Sequence, residues 1–277
     1  MKRLFTFLFA AAVVSLTSTT TATAQSITVP YNPDGDANGL IGVTDLQDLL
    51  STYGGAFAPG AIVVDSIELG EVLASLQAQI SAFRCGDDVL HEGYRYNTTS
   101  IGGRCWFAEN VRYLPEVSPS SAGSDVVPHA YVCGYQGTDV DAAQNTLEYH
   151  QFGALYNFPA VEQWDLCPEG WHVPTDLEWT EMTNSLGSQN FAGNMMKAKY
   201  GDNWDGTNLS GFSGLPGGFR GSSGFFYSAG DDGYWWSSSP NGSYAWGRNL
   251  DSNLEVVYRS SNDQRSGFSV RCVRDAE

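Results

Sequence analysis

Gly214-Leu-Pro-Gly-Gly-Phe-Arg-Gly-Ser-Ser-Gly-Phe-Phe-Tyr-Ser-Ala-Gly-Asp-Asp-Gly-Tyr-Trp-Trp-Ser-Ser-Ser-Pro-Asn-Gly-Ser-Tyr-Ala-Trp-Gly-Arg-Asn-Leu250 opens a stretch that continues to Val273. Short runs of Phe, Tyr, Trp and Val alternate here with clusters of Gly, Ser, Asn and Asp. That alternation predicts tight antiparallel strands joined by hairpin loops. Turns are expected at Gly217-Gly218, Gly221–Gly224, Gly230–Gly233 and Asn241-Gly242. Such a sheet presents polar and aromatic side chains from its loops, and the stretch carries no obvious catalytic set. Trp235 and Trp236 are successive strand residues, so they face opposite sides and at least one of them is expected in the core. Tyr244, Trp246 and Arg248 alternate on one predicted strand face. Asn241, Asn253, Tyr258, Asn262 and Gln264 fall in or near loops. Amphipathic rings beside short amides suit an adaptable binding surface; the plain alternative is a polar, Gly-rich surface with ordinary exposed Asn and Tyr.

Upstream, a helix is predicted from the capping box Thr175-Asp-Leu-Glu178 to about Leu186, with Gly187 as its stop. Leu177, Trp179, Met182 and Leu186 would face the core. A shorter helix is expected around residues 153–161, and a hairpin of residues 94–96 with 100–103. Two helices followed by a Gly/Trp-rich antiparallel region make an α+β domain in which strands from both ends of the chain meet.

The N-terminus has a different character. Met1-Lys2-Arg3 precedes an apolar run of 13 residues, Leu4–Leu16, and the small-residue site Ala22-Thr23-Ala24. This reads as a secretory signal peptide over residues 1–24, the run being shorter than the ~20 residues a membrane span needs. Nothing later in the chain is long and apolar enough to span a bilayer. Losing Lys2 and Arg3 takes the formal charge from −17 to −19. That balance argues against nucleic acid and anionic membrane as partners and favours cations.

Residues 25–55 carry Asp34-Gly-Asp36-Ala-Asn38-Gly39-Leu40-Ile-Gly42-Val-Thr-Asp45. Asp34, Asp36, Asn38 and Asp45 place oxygens at the spacing of an EF-hand-type loop, with Gly39 at its bend and the carbonyl of Leu40 as a further ligand. Calcium is the expected cofactor; an acidic, solvated turn is the alternative. Residues 44–53 read as the exiting helix. Residues 56–84 are a linker, Ala-Phe-Ala-Pro-Gly, then an amphipathic helix from about Ile67 to Phe83. That helix is either an oligomerising stalk through residues 63–83 or a helix packed on the neighbouring domain.

Five motifs, Arg104–Leu114, Ala154–Met182, Ser210–Arg220, Gly233–Ser239 and Ser266–Asp275, make residues 85–277 resemble the Fibrobacter succinogenes major paralogous domain. The resemblance implies a C-type-lectin-like fold, distantly similar to formylglycine-generating sulfatase-modifying proteins. The calcium loop resembles one dockerin half-repeat, where a dockerin has two. A bridge between Cys85 and Cys105 would staple the start of the domain. Cys167–Cys272 would tie the helical half to the last strand, as long bridges do in lectin-like folds. Cys133 is left over, as a buried thiol, a swapped partner or an intermolecular bridge.

The redox cysteine pair of the sulfatase-modifying relatives has no counterpart here, because the C-terminal part holds only Cys272. Ser239-Pro240-Asn241 lacks the acidic or amide residue that sugar-binding lectins place before Pro. His91, His129, His150 and His172 are single and scattered, which favours structural roles. The expected function is therefore non-enzymatic: an exported protein presenting a recognition domain to an extracellular protein or carbohydrate ligand. Rival expectations are a dockerin-bearing accessory protein of polysaccharide degradation, a hypervariable display domain diversified over residues 234–271, and an enzyme of the formylglycine-generating type.

Overall fold

A computed structural model describes residues 83–275 and, ahead of them, two short strands, β1 (Val63–Val64) and β2 (Ile67–Glu68). The chain divides into two compact units between Ser81 and Ala82. In the first, β1 pairs with β2 antiparallel, Val64 opposite Ile67. This corrects the expectation of a helix beginning at Ile67; three β-branched residues with restricted χ1 favour the strand pair. The rest of that helix, the signal peptide and the calcium-loop residues Asp34, Asp36, Asn38, Leu40 and Asp45 lie outside the described residues.

The second unit is α+β and rich in sheet. Its strands are β3 (Val89–His91), β4 (Tyr94–Tyr96), β5 (Thr98–Ile101), β6 (Arg104–Phe107), β7 (Ala130–Tyr131), β8 (Leu155–Tyr156), β9 (Gly217–Arg220), β10 (Phe226–Ala229), β11 (Asp232–Asn241), β12 (Tyr244–Asp251), β13 (Val257–Asp263) and β14 (Val273–Asp275). Its helices are short: α1 (Val140–Gln144), α2 (Leu147–Phe152), α3 (Phe158–Gln163), α4 (Asp176–Ser185) and α5 (Ala192–Met196). The main sheet has the order β10-β9-β11-β12-β13, and β14 returns from the C-terminal end to pair with β6 beside β5.

Local chemistry explains most of these elements. Thr175 and Glu178 close the expected capping box on α4, and Leu186 caps its other end. The helix expected around residues 153–161 begins only at Phe158, because α2 ends at Phe152 and β8 takes up Leu155–Tyr156. Gly153 ends α2 at φ 75°, and a Cβ there would lie 2.9 Å from the Val111 carbonyl oxygen. Asn157 then caps α3, with Pro159 in its first turn. The hairpin partners also differ from expectation, because β4 pairs with β3 and β5 with β6. Gly217-Gly218 forms part of β9 rather than a turn. At Gly218 (φ 63°) a Cβ would overlap the carbonyl oxygen of Tyr227 on β10, so the glycine serves close backbone approach.

The main sheet separates two cores. Trp236 stacks on Phe268 with ring centroids 4.2 Å apart, in a cluster with Tyr156, Phe107 and Trp171. Trp235 packs into the other cluster, with Trp106, Trp179, Phe212 and Leu250. Both tryptophans are therefore core. Rings of this size bury roughly 150–250 Å², on the order of 5 kcal/mol each at about 25 cal/mol per Å². Trp179 and Met182 of α4 face this second core, with Leu186 packed at its margin. Leu177 does not, being 65% exposed; it lies between two residues, Asp176 and Glu178, whose polar bonds set the orientation of the first turn.

Disulfides join Cys85 to Cys105 and Cys167 to Cys272. Cys133 is a buried free thiol whose pKa burial pushes up to about 11. Among the described residues, no helix is long and apolar enough to cross a membrane.

Candidate functional site

The register of β11, β12 and β13 decides which predicted residues share a surface. Tyr244 lies opposite Asp263, Trp246 opposite Ser261 and Arg248 opposite Arg259. Directly opposed residues of an antiparallel pair point to the same side. This face therefore runs Tyr244–Trp246–Arg248 on β12 and Asp263–Ser261–Arg259 on β13, with Asn241 at its end, paired to Tyr244.

Along that face exposure falls from one end to the other. Tyr244 is 51% exposed, Trp246 half-buried, and Arg248 only 3% exposed because α4 covers it. Arg248 was expected to be the accessible cation of the site, and the structure corrects this. Its Nη1 donates to Asp176 Oδ1 at 2.8 Å, and its Nη2 to the Asp176 carbonyl at 2.9 Å and Thr180 Oγ1 at 3.0 Å. A buried guanidinium is stable there because the start of α4 supplies a carboxylate and two further acceptors.

The exposed cation is Arg259. Its guanidinium lies 3.4 Å above the centre of the Trp246 ring. Its Nε donates to Asp176 Oδ1 at 2.8 Å and its Nη2 to Oδ2 at 2.8 Å, a fork-on-carboxylate pair. Burial by itself would raise the Asp176 pKa, but the bonds from Arg259 and Arg248 outweigh it and hold the carboxyl below its usual range. Trp246, Arg259, Asp176 and Arg248 thus form a fixed stack running from solvent into the core. Beside it the Asn241 amide donates to Ser261 Oγ at 2.9 Å, and Arg265 pairs with Asp263 at 2.6 Å.

Three other predicted residues lie elsewhere. Tyr258 is exposed but opposes Asn249, so it points to the reverse side of the sheet. Asn262 opposes Ala245 on that same reverse side and folds its amide back onto Ser260. A one-residue offset along a strand reverses a side chain's face. Asn253 sits beyond the far end of β12, a strand that spans about 24 Å from Tyr244 to Asp251 at ~3.4 Å rise per residue.

Asn253 lines an open polar cavity of about 350 Å³ together with Asn194, Lys197, Asp205, Thr207 and Glu255. The buried Lys197 ammonium donates to the carbonyls of Asp251, Ser252 and Leu254 at 3.0, 3.2 and 3.1 Å, which commits all three of its protons. Burial lowers its pKa despite the nearby Asp251, Glu255 and Asp205. It acts as an internal cation that folds the loop after β12.

Two of the histidines make local bonds: His172 Nε2 meets Glu178 Oε1 at 2.8 Å, and His129 Nδ1 meets Ser118 Oγ at 2.9 Å. Among the described residues, His, Cys, Asp and Glu side chains form no group able to hold a metal.

The motifs that run through these elements, from β5 to β14, are those of a known family. Residues 99–274, more than half of the 277-residue chain, match the Fibrobacter succinogenes major domain. The chain belongs to that family. No curated protein and no solved structure matches it. Within the major domain, Asp176 follows Pro174-Thr175 in one of the motifs, whereas Arg259 and Ser261 fall between motifs. Sequence reading therefore missed Arg259; its signal is its two-residue spacing from Ser261 and Asp263 on one strand face.

Proposed function

We propose that residues 85–275 form a non-catalytic recognition domain of C-type-lectin-like type in an exported protein, and that its contact surface is the Tyr244–Trp246–Arg259 face. The observation that carries this reading is the stack of Arg259 on Trp246, locked by Asp176. An exposed aromatic and a guanidinium already held in one geometry lose little conformational freedom on binding, and Tyr, Trp and Arg dominate interface energetics. Two disulfides are compatible with an extracellular location and support export.

A protein and glycan array probed with the secreted chain tests the reading. Tyr244→Ala is expected to weaken the captured partner by roughly 30-fold, the equivalent of a ~2 kcal/mol anchor. Tyr258→Ala, on the reverse side, should leave affinity unchanged. Both tyrosines are exposed, so melting temperatures should hardly move. Loss of binding through Tyr258 but not Tyr244 would place the site on the other face.

The N-terminal loop belongs to the same proposal as a calcium-stabilised appendage, supported by the spacing of Asp34, Asp36, Asn38 and Asp45. Calorimetry should show one calcium site fewer in a variant carrying Asp34→Ala and Asp36→Ala. Equal uptake by the two proteins would reject it.

A further inference from the structure

We infer that the partner met by this face is a protein with an acidic surface, and that one of its carboxylates binds Arg259 through Nη1. This rests on the reading of the Tyr244–Trp246–Arg259 face as the contact surface. Nε and Nη2 of Arg259 are used on Asp176, whereas Nη1 has no partner among the described residues. A guanidinium with one edge locked and a terminal nitrogen left over offers a positioned, charge-assisted donor.

Charge on the face runs against the rest of the molecule. Arg248, Arg259 and Arg265 stand against Asp176 and Asp263, and both carboxylates are already paired. At the surface the two arginines and two carboxylates balance, and the buried Arg248 leaves one positive charge over among these five groups, in a chain of formal charge −17. Against the acidic remainder of the chain this patch, with its free Arg259 Nη1, is where a negatively charged partner group is repelled least and gains a donor.

Shape selects the class of macromolecule. Sites for small ligands and single sugar residues are concave. The polar cavity lies instead at Asn194–Glu255, beyond the opposite end of β12. The upper side of the Trp246 ring is capped by Arg259, which removes it as a platform for stacking a sugar ring. What remains is a strand face with an exposed Tyr244, a fixed cation and the hydroxyl of Ser261, the composition of a protein–protein contact.

The test uses the full secreted chain against immobilised glutamate–tyrosine copolymer, an acidic polypeptide with rings, at physiological salt. Polygalacturonate serves as the acidic glycan. Wild type should bind the copolymer, and Arg259→Gln should bind at least tenfold more weakly. Arg95→Gln, an exposed arginine on β4, should bind as wild type does. Should Arg259→Gln fail to fold, Arg259→Lys keeps the charge without the fork and should also weaken binding severalfold. No binding of the copolymer by wild type, or equal binding by the Arg259 variants, overturns the inference. Binding of polygalacturonate in place of the copolymer overturns the assignment to a protein. Copolymer binding that is lost in Tyr244→Ala but kept in Arg259→Gln rejects the carboxylate contact alone. Copolymer binding indifferent to both substitutions rejects the face itself.

Discussion

Replacing Cys167 and Cys272 together by alanine is expected to lower the stability of the major domain by about 4–5 kcal/mol, the chain-entropy value for a loop of this length. The two cysteines are separated by 105 residues, against 20 for Cys85 and Cys105. The same model gives the shorter loop about 3 kcal/mol, so the two double variants should be separated by more than 1 kcal/mol. For a domain of this size that corresponds to a fall in melting temperature of roughly 10–20 °C for the long bridge. Alanine is the proper replacement because Cys272 is fully buried, and a serine hydroxyl would add its own desolvation cost. The bridge joins the segment before α4 to the segment entering β14, so its loss frees the strand that ties the end of the domain to β6. Denaturant unfolding of both double variants measures the difference. If the Cys85/Cys105 variant proves as unstable as the Cys167/Cys272 variant, loop entropy is not what the long bridge contributes.

Features carried by neighbouring residues were legible in the sequence. Thr175 and Glu178 are three residues apart and needed no tertiary information to announce the start of α4. Asn241-Gly242 likewise marked the hairpin between β11 and β12, and the separate family motifs were readable as they stand. What could not be read depends on distant partners. Arg248 and Tyr244 look alike as alternating residues of one strand, yet Arg248 is buried because Asp176, 72 residues earlier, reaches it. Tyr258 attracted notice as an aromatic, but its face is set by the register of β12 against β13. Gly217-Gly218 carries the composition of a turn, and only the proximity of β10 shows why two glycines sit inside a strand. The short helices α1, α2 and α5 hold five or six residues each. That is too few to display a periodic apolar stripe, and they persist through caps and tertiary packing.

Arg271→Met is expected to destabilise the domain by about 3–5 kcal/mol, the cost of leaving several buried acceptors short of donors at about 1–3 kcal/mol each. The guanidinium is buried, and burial drives its pKa well below the ordinary arginine value. Its acceptors are neutral. Nε donates to Asn110 Oδ1 at 2.8 Å, Nη1 to the carbonyls of Phe107 and Phe212 at 2.8 and 2.6 Å, and Nη2 to the Ser213 carbonyl at 3.2 Å. The Phe212 ring lies 4.1 Å beneath it. Methionine fills much of the volume but takes this donor from the three carbonyls and one of two donors from Asn110 Oδ1, and each buried group left unsatisfied costs about 1–3 kcal/mol. Asn110 spreads the damage. Its Oδ1 also accepts from Trp235 Nε1 at 2.8 Å, and its Nδ2 donates to the Phe152 carbonyl at 2.8 Å and to Ser269 Oγ at 3.2 Å. One side chain thereby links β6, the end of α2, β11 and the return to β14. Arg248→Met gives the contrasting case, because it strands Asp176, whose carboxylate keeps Arg259 as a partner and is partly solvated. It should cost less than Arg271→Met and leave the Arg259 stack on Trp246 in place. Chemical denaturation of the two variants, compared at one pH, decides between them. Should Arg271→Met unfold at wild-type denaturant concentration, its four bonds contribute no more than a well-packed apolar chain of the same size, and the hub at Asn110 holds the cores together without it.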